Sequence, residues 1–332
     1  MALEALPLVS LGVPVFNGEK DLSRCLESLL KQDYPNLEIV ISDNGSTDGT
    51  SRIAEQYSRA DPRVKYFRAE RNRGSVWNFN RVFELSSGEY FAWTSHDDER
   101  EPSFVSACVE RLEQDPDAVL SPGRVAVSLD PGDEILYVTH FDSFAGPSDV
   151  VARYREALSR LPPPAFYGLY RSSAIRKTKL FQPVIGTDLA FLHELVIHGP
   201  LAPIPRVMMR YRARESWSTI DQDAHTYLGV GAKPWWYVPF VVLFVDQGSR
   251  LLHAPIPSGL KMRLGAVLVR HQAQELARKV FIKSVGAICP RRYHERLART
   301  ICHRWFTNPN ITVSREDMFF ERVCKPQLGW WR

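Results

Sequence analysis

Residues 8–50, LVSLGVPVFNGEKDLSRCLESLLKQDYPNLEIVISDNGSTDGT, decide the fold. LVSLGVPVF (8–16) is a continuous β-branched and apolar run, the pattern of a strand covered on both faces in a parallel sheet. Asn17 and Gly18 end it. Leu22, Cys25, Leu26, Leu29 and Leu30 then recur at i, i+3, i+4, i+7 and i+8, so one face of a helix over 19–32 packs on that sheet. DYPNL turns the chain, LEIVISD (37–43) forms a second buried strand, and NGSTDGT is a polar loop that leads into another helix with Ile53, Ala54 and Tyr57 inward.

The unit repeats outward from there. Val64 to Arg68 reads as a short third strand, RNRGS as a loop, 75–86 as a helix carrying Val76, Phe79, Val82 and Phe83, and GEYFAWTS (88–95) as a fourth strand. Strands alternating with helices imply right-handed crossovers and a mainly parallel sheet flanked by helices on both faces. Such a sheet binds ligands at the C-terminal ends of its strands, near a topological switch point. Three loops converge there: 16–19, 43–50 and 95–100. No GxGxxG or GxxxxGK[ST] follows any strand, so dinucleotide-binding and P-loop readings lose their main support.

Beyond Pro102 the pattern predicts a helix (Phe104, Cys108, Leu112), a strand over 118–129, a loop rich in Gly, Pro, Asp and Ser over 130–148, and helices near 149–160 and 165–176. VIGTDLAFLHELVIHG (184–199) reads as a helix with Leu189, Leu192, Leu195 and Val196 inward, and LAPIPRVMMRYR (201–212) as a strand. From residue 220 the pattern becomes Trp-rich, basic and helix-like without further strand–helix alternation. The expected organisation is a catalytic domain over 1–219, with a nucleotide-binding half (1–102) and an acceptor half (103–219), followed by a helical basic region over 220–332.

At 332 residues, 44% apolar and 24% charged, the chain buries a full core and is not disordered. Its five cysteines are scattered, odd in number and lack any CxxC pair, which argues against a disulfide framework and for a reducing, cytoplasmic setting. The start, MALEALPLVSLGVPVF, has no basic n-region and reads as a short leader into a buried strand. The longest apolar run, PWWYVPFVVLFV (234–245), is short of the roughly 20 residues a spanning helix needs. Residues 220–332 hold 17 Lys/Arg against 8 Asp/Glu, and residues 1–219 hold 25 against 30, so a basic tail follows an acidic body. Such a tail points to an anionic surface such as a membrane's inner leaflet, or to solvated helix faces. Nucleic acid is disfavoured, because the body is acidic and no aromatic-basic module is recognisable.

Chemistry concentrates in WTSHDDEREP (93–102), which follows the fourth strand. Adjacent carboxylates at a sheet's C-terminal edge repel one another unless a cation lies between them, and Mg²⁺ or Mn²⁺ takes one or two carboxylates plus substrate phosphates. Asp97 and Asp98 fit that role, or they cap the following helix. Asp43, closing the second strand, can accept from a ribose hydroxyl or a base N–H, or it is turn chemistry within Asp43-Asn44-Gly45. Cys289, His294, Cys302 and His303 match no zinc spacing and read as helical packing. Trp235, Trp236, Phe240 and the segment 260–285 form either an in-plane membrane anchor or a face packed on the body.

Together, VPVFNGEKDLSRCLESLLKQDYPNLEIVISDNGSTDGT, RNRGSVWNFNRVFELSSGEY and HDD make the chain similar to a family 2 glycosyltransferase of the GT-A fold, of the bacterial surface-glycan type, over about residues 8–217. The resemblance implies that Pro14, Phe16, Asn17 and Glu19 meet the base and ribose, that Asp43 meets a pyrimidine N–H, and that Arg71, Asn72, Gly74 and Asn80 flank the nucleotide. It aligns His96-Asp97-Asp98 with the family's DxD motif, with Asp97 toward ribose or sugar and Asp98 as ligand of Mn²⁺ or Mg²⁺. Asp188 in TDLAFLHEL becomes the general base, with Glu194 as a rival, and Arg210, Arg212 and Arg214 are candidates to stabilise the leaving diphosphate. Asn44 and Thr187 depart from the family's usual acidic residues.

The activity so implied is inverting transfer of a sugar from a nucleoside diphosphate donor, uridine- or thymidine-linked, to a hydroxyl of a glycan or glycolipid. Its setting is cytoplasmic, peripheral on the inner face of the membrane. The rival readings are a sugar-1-phosphate nucleotidyltransferase, which calls for a Gly-rich basic loop that VFNGEKD lacks, and a catalytically silent sugar-nucleotide-binding protein.

Overall fold

The structure is a computed structural model and describes residues 6–129, 134–141, 144, 149–213, 237–288 and 310–314. Its first half follows the strand–helix rhythm of the sequence: β1 (Val9–Val15), α1 (Leu22–Leu30), β2 (Leu37–Asp43), α2 (Thr50–Ala60), β3 (Val64–Arg68), α3 (Ser75–Glu84) and β4 (Tyr90–Trp93). β1 and β2 are buried at every position, as their uninterrupted apolar runs require. α1 buries Leu22, Cys25, Leu26 and Leu29. Each fully covered leucine there contributes about 2 kcal/mol of apolar burial.

A six-stranded sheet runs in the order β3-β2-β1-β4-β9-β6, where β6 is Leu120–Ser121 and β9 is Leu169–Arg171. The four strands β3, β2, β1 and β4 are parallel, whereas β9 is antiparallel to both β4 and β6, so the sheet is mixed at one edge. The chain winds outward from β1 to β3 and then crosses back to β4 on the other side, which places the switch point between β1 and β4. Pro14 lies in the middle strand at no cost to the ladder on the β4 side, because the β1–β4 register ends at Gly12↔Trp93.

The second half differs from expectation in three places. The single strand expected over 118–129 is two: β6 in the first sheet and β7 (Gly123–Leu129) in a second, five-stranded sheet. Pro122 separates them, and its missing donor suits a place where the chain leaves one ladder for another. Within the span expected as a loop, 134–141 holds β8 (Ile135–Thr139), antiparallel to β7. The helix expected near 165–176 is a 3-10 turn (Pro163–Tyr167), β9, and the one-turn α6 (Ser172–Ile175).

The second sheet runs β11-β8-β7-β10-β5, with β5 (Glu99–Arg100), β10 (Ile204–Ala213) and β11 (Ile311–Val313). The expected helices α4 (Phe104–Glu113), α5 (Val150–Arg160) and α7 (Thr187–Leu195) are present; α7 buries Ala190, Phe191, Leu192 and Leu195, whereas Leu189 is half-buried. The described residues after 220 form two helices, α8 (Pro239–His253) and α9 (Ser258–Ile288), and the strand β11. α8 packs on α7, α9 on α5, and β11 on β8, so all three lie against the body. Among the described residues no helix is long and apolar enough to cross a membrane.

Candidate functional site

The first wall of the site is built from the loops after β1, β2 and β3. Asn17 sits in the left-handed region (φ 53°), which Asn tolerates. Its backbone N–H donates to Ser46 Oγ (2.9 Å) and its Oδ1 accepts from the Thr47 N–H (2.9 Å). Glu19 reaches the same loop: its Oε2 accepts from the Gly49 N–H at 3.0 Å, beside the start of α2. Phe16 is 38% exposed at the mouth, whereas Pro14 is buried inside β1.

Gly45 (φ 74°) lets this loop meet the one after β3; a Cβ there would lie 2.7 Å from the Arg71 backbone. Asn44 completes the junction. Its Nδ2 donates to Asn72 Oδ1 (2.9 Å) and the Gly74 carbonyl (3.0 Å), and its Oδ1 accepts from the Arg73 N–H (2.9 Å). Arg71 and Asn72 are exposed beside it. Asn80, grouped with them in the sequence, instead exchanges two hydrogen bonds with the Phe181 backbone.

Asp43 is fully buried below this junction. Its Oδ1 accepts from the Ser46 N–H (2.8 Å), its Oδ2 accepts from the Tyr66 hydroxyl (2.8 Å), and Arg68 Nε lies 3.5 Å from Oδ2. These contacts display the turn-fixing role.

The opposite wall is the HDD loop after β4. Asp97 is half-buried, while Asp98 is 1% exposed. Asp98 Oδ1 accepts a long bond from the Arg212 N–H (3.4 Å), and Oδ2 is buried with no hydrogen-bond partner among the described residues. Burial, with the neighbouring Asp97 charge, pushes the Asp98 carboxyl well above the usual carboxylate range. An orphaned carboxylate oxygen next to a second carboxylate suits a hard cation. Among the described residues no three His, Cys, Asp or Glu side chains cluster around a metal position. The two carboxylates match Mg²⁺ or Mn²⁺, which fills its remaining positions with substrate phosphates and water.

Three residues unassigned at the sequence level hold this loop. Arg100 is buried beneath it, donating to the carbonyls of Trp93 (2.6 Å) and Tyr167 and to Thr94 Oγ1 (3.2 Å), with its guanidinium 4.1 Å over the Phe104 ring. Burial lowers its pKa to about 10, and Asp98 opposes that shift. Glu99 bridges Arg24 on α1 (2.9 Å) to Arg212 on β10 (3.5 Å). Tyr167 meets Ser95 Oγ through its hydroxyl (3.3 Å). The charges at 99 and 100 are visible in HDDER, but only the antiparallel pairing of β5 with β10 shows that they serve the loop.

Asp188 lies in the first turn of α7, after Gly186 in a left-handed cap (φ 85°). It is half-buried, and burial raises its pKa while backbone N–H groups at 188 and 189 pull it down. One turn further on, Phe191 packs edge-on against Trp93 of β4 at 5.5 Å. Phe166, Tyr170 and Phe181 surround the same indole, so α7 and the HDD strand share one aromatic cluster. Glu194 is no free base: it is 2% exposed, bonded to Arg250 Nη1 (2.7 Å) and to the Lys179 N–H. Arg210 is exposed and 3.5 Å from Glu101, while Arg212 meets Glu99. Arg214, Trp235, Trp236, Cys289, His294, Cys302 and His303 lie outside the described residues.

Loops after parallel strands, a carboxylate pair at the switch point and a helix-borne carboxylate define a GT-A glycosyltransferase architecture. The family model "Glycosyl transferase family 2" matches residues 10–180, more than half of the sequence, and the chain belongs to that family. It is similar to chondroitin synthase of Escherichia coli, 36% identical over 113 residues, which cover 34% of this chain and 16% of that protein. It is also 30% identical over 110 residues to the GalNAc(5)-diNAcBac-PP-undecaprenol beta-1,3-glucosyltransferase of Campylobacter jejuni, covering 33% and 36%. The matched stretch thus spans little more than a third of such relatives at most. In fold it is similar to S. aureus TarS 1-349, with TM-score 0.58, 16% identity, and coverage of 91% of this chain and 81% of that one.

Proposed function

We propose that this glycosyltransferase transfers a sugar from a uridine- or thymidine-diphosphate donor to a hydroxyl of a glycan or glycolipid, with inversion and with a divalent cation, Mn²⁺ or Mg²⁺, at Asp98. The observation that carries the proposal is the buried Oδ2 of Asp98, unpartnered among the described residues, beside Asp97 at the switch point. Solution of TarS 1-349 with UDP and with UDP-GlcNAc supports the uridine donor. The undecaprenol-linked acceptor in the name of the C. jejuni relative supports a glycolipid or glycan acceptor. The scattered cysteines, of which Cys25 and Cys108 are buried free thiols, support a cytoplasmic setting.

In this reading the cation supplies Lewis-acid stabilisation of the leaving diphosphate. Asp98 would hold it, with Asp97 toward the ribose or sugar, and Arg100 beneath fixes the Asp98 loop. Exposed Phe16, Asn17, Arg71 and Asn72 line the entry for the base and ribose. Asp188 accepts the acceptor hydroxyl's proton as that oxygen attacks the anomeric carbon in line; its raised pKa brings it nearer the working pH of a general base. Arg210 and Arg212 lie on one strand beside the loop and are the diphosphate's candidate counter-charges.

Donor turnover with and without Mn²⁺ tests the proposal on the wild type and Asp98→Ala. The expected result is metal-dependent turnover reduced about a hundredfold or more in the variant. Unchanged metal-dependent turnover would sink the role of Asp98.

A further inference from the structure

α8 and α9 form an antiparallel hairpin. Lys279 Nζ sits 4.4 Å over the Phe240 ring, Gln272 Nε2 donates to Gln247 Oε1 (3.0 Å), and Lys261 Nζ donates to the Leu252 carbonyl (2.6 Å). One side of the hairpin is committed to the body: Asp246, Gln247, Arg250 and Leu251 of α8 and Leu264 and Leu268 of α9 are buried. The other side is apolar and exposed. Val241, Val245 and Leu252 follow one another at helical spacing on α8, and Met262, Val269 and Leu276 recur every seven residues on α9, with Leu252 70% and Met262 73% exposed. Ala266 and Ala273 fall between them, and Val280 beyond them, on the same α9 face.

The charge beside this face has one sign. Between 258 and 288 the sequence carries six Lys/Arg against the single acid Glu275, which pairs with Arg278 at 2.8 Å. Arg263 and Arg270 are exposed along one border of the apolar stripe. The charged pair of α8, Asp246 and Arg250, is buried and neutralised within the interface at 2.7 Å. A second copy docked on this face would bring like charges together. A bilayer of anionic phospholipid answers both features, since acyl chains take the apolar stripe and headgroups take the arginines.

We propose that the outer face of the α8–α9 hairpin is an in-plane docking surface for an anionic phospholipid bilayer. α9, 31 residues long and therefore roughly 46 Å by helical rise, lies along the surface and does not cross it. The inference is independent of the catalytic reading, because no residue of this face belongs to the site.

Flotation of the full chain with lipid vesicles, without donor or metal, tests it. The chain is expected to float with phosphatidylcholine vesicles containing phosphatidylglycerol, to stay behind with phosphatidylcholine alone, and to be released by high salt. Arg263→Ala with Arg270→Ala is expected to lower partitioning about twenty-fivefold, at about fivefold per arginine. Val269→Asp with Leu276→Asp is expected to abolish it, with helicity and UDP binding kept. Three results would each overturn the proposal: no flotation with the anionic vesicles, flotation indifferent to both pairs of substitutions, or concentration-dependent dimers that the aspartates dissolve. Loss of turnover in a separate assay leaves this result intact.

Discussion

Burial raises the pKa of Asp98 and of Asp188, but the surroundings of the two carboxylates differ. Asp98 has one oxygen with no partner among the described residues and a second carboxylate next door, which agrees with the proposed ligand role. Asp188 is half-buried at the first turn of a helix, where backbone N–H groups stabilise its charge and solvent or substrate still reaches it. Asp188→Asn is therefore expected to lower kcat by about a hundredfold to ten-thousandfold with little change in donor affinity. Single-turnover kinetics read this directly, and an unchanged chemical step would remove Asp188 from the base role. At this scale HDD was legible because its charges follow an apolar strand. Arg100 and Tyr167 were not legible as its supports: one is buried by a two-residue strand and the other by a 3-10 turn, and neither element has a periodicity to read.

At the scale of elements, β1 to β4 and their helices were legible because each carries an uninterrupted apolar run or a 3.6-residue stripe. β8 and β9 were not. Ile135–Thr139 sits among Gly, Pro and Asp, and three-residue β9 takes its conformation from its neighbours β4 and β6. α7 was legible as a helix, but its anchoring was not. Arg250 of α8 bonds both Glu194 of α7 and Asp246 at 2.7 Å, all three nearly fully buried. Arg250→Met leaves two buried carboxylates without a counter-charge and is expected to cost about 3–5 kcal/mol of stability in urea unfolding; adding Glu194→Gln and Asp246→Asn should restore most of it. A single variant as stable as the wild type would contradict the network's role.

The same interface carries a pH dependence. His193 of α7 accepts from Gln247 of α8, which in turn accepts from Gln272 of α9. Burial, with His271 nearby, lowers the His193 pKa to about 3. The unfolded chain binds this proton below the ordinary histidine value of 6.5 and the folded chain does not, so the contribution is complete above 6.5. It is lost as pH falls toward 3, at about 1.4 kcal/mol per pH unit. Glu194 and Asp98, whose folded values are raised, act in the opposite sense, so the test is a difference. Unfolding free energy of His193→Gln is expected to fall less steeply with acid than that of the wild type, and parallel slopes would contradict the assignment.

For the whole molecule, the two sheets divide the labour. The parallel strands present the loops proposed to hold the nucleotide, and the second sheet, through the β5–β10 pairing, holds the HDD loop from the other side. The aromatic cluster around Trp93 joins the HDD strand to α7 through Phe191, so the helix that carries Asp188 is packed against the strand that leads to Asp98. The basic tail seen in the sequence resolves, in its described part, into a hairpin with one face on the body and one outward. The central claim is that Asp98 carries a cation for a uridine-diphosphate donor. Calorimetric titration of UDP into the wild type and Asp98→Ala, each with and without Mn²⁺, tests it most directly. The account predicts that Mn²⁺ tightens UDP binding to the wild type and leaves the variant's affinity unchanged; an equal gain in both proteins would contradict it.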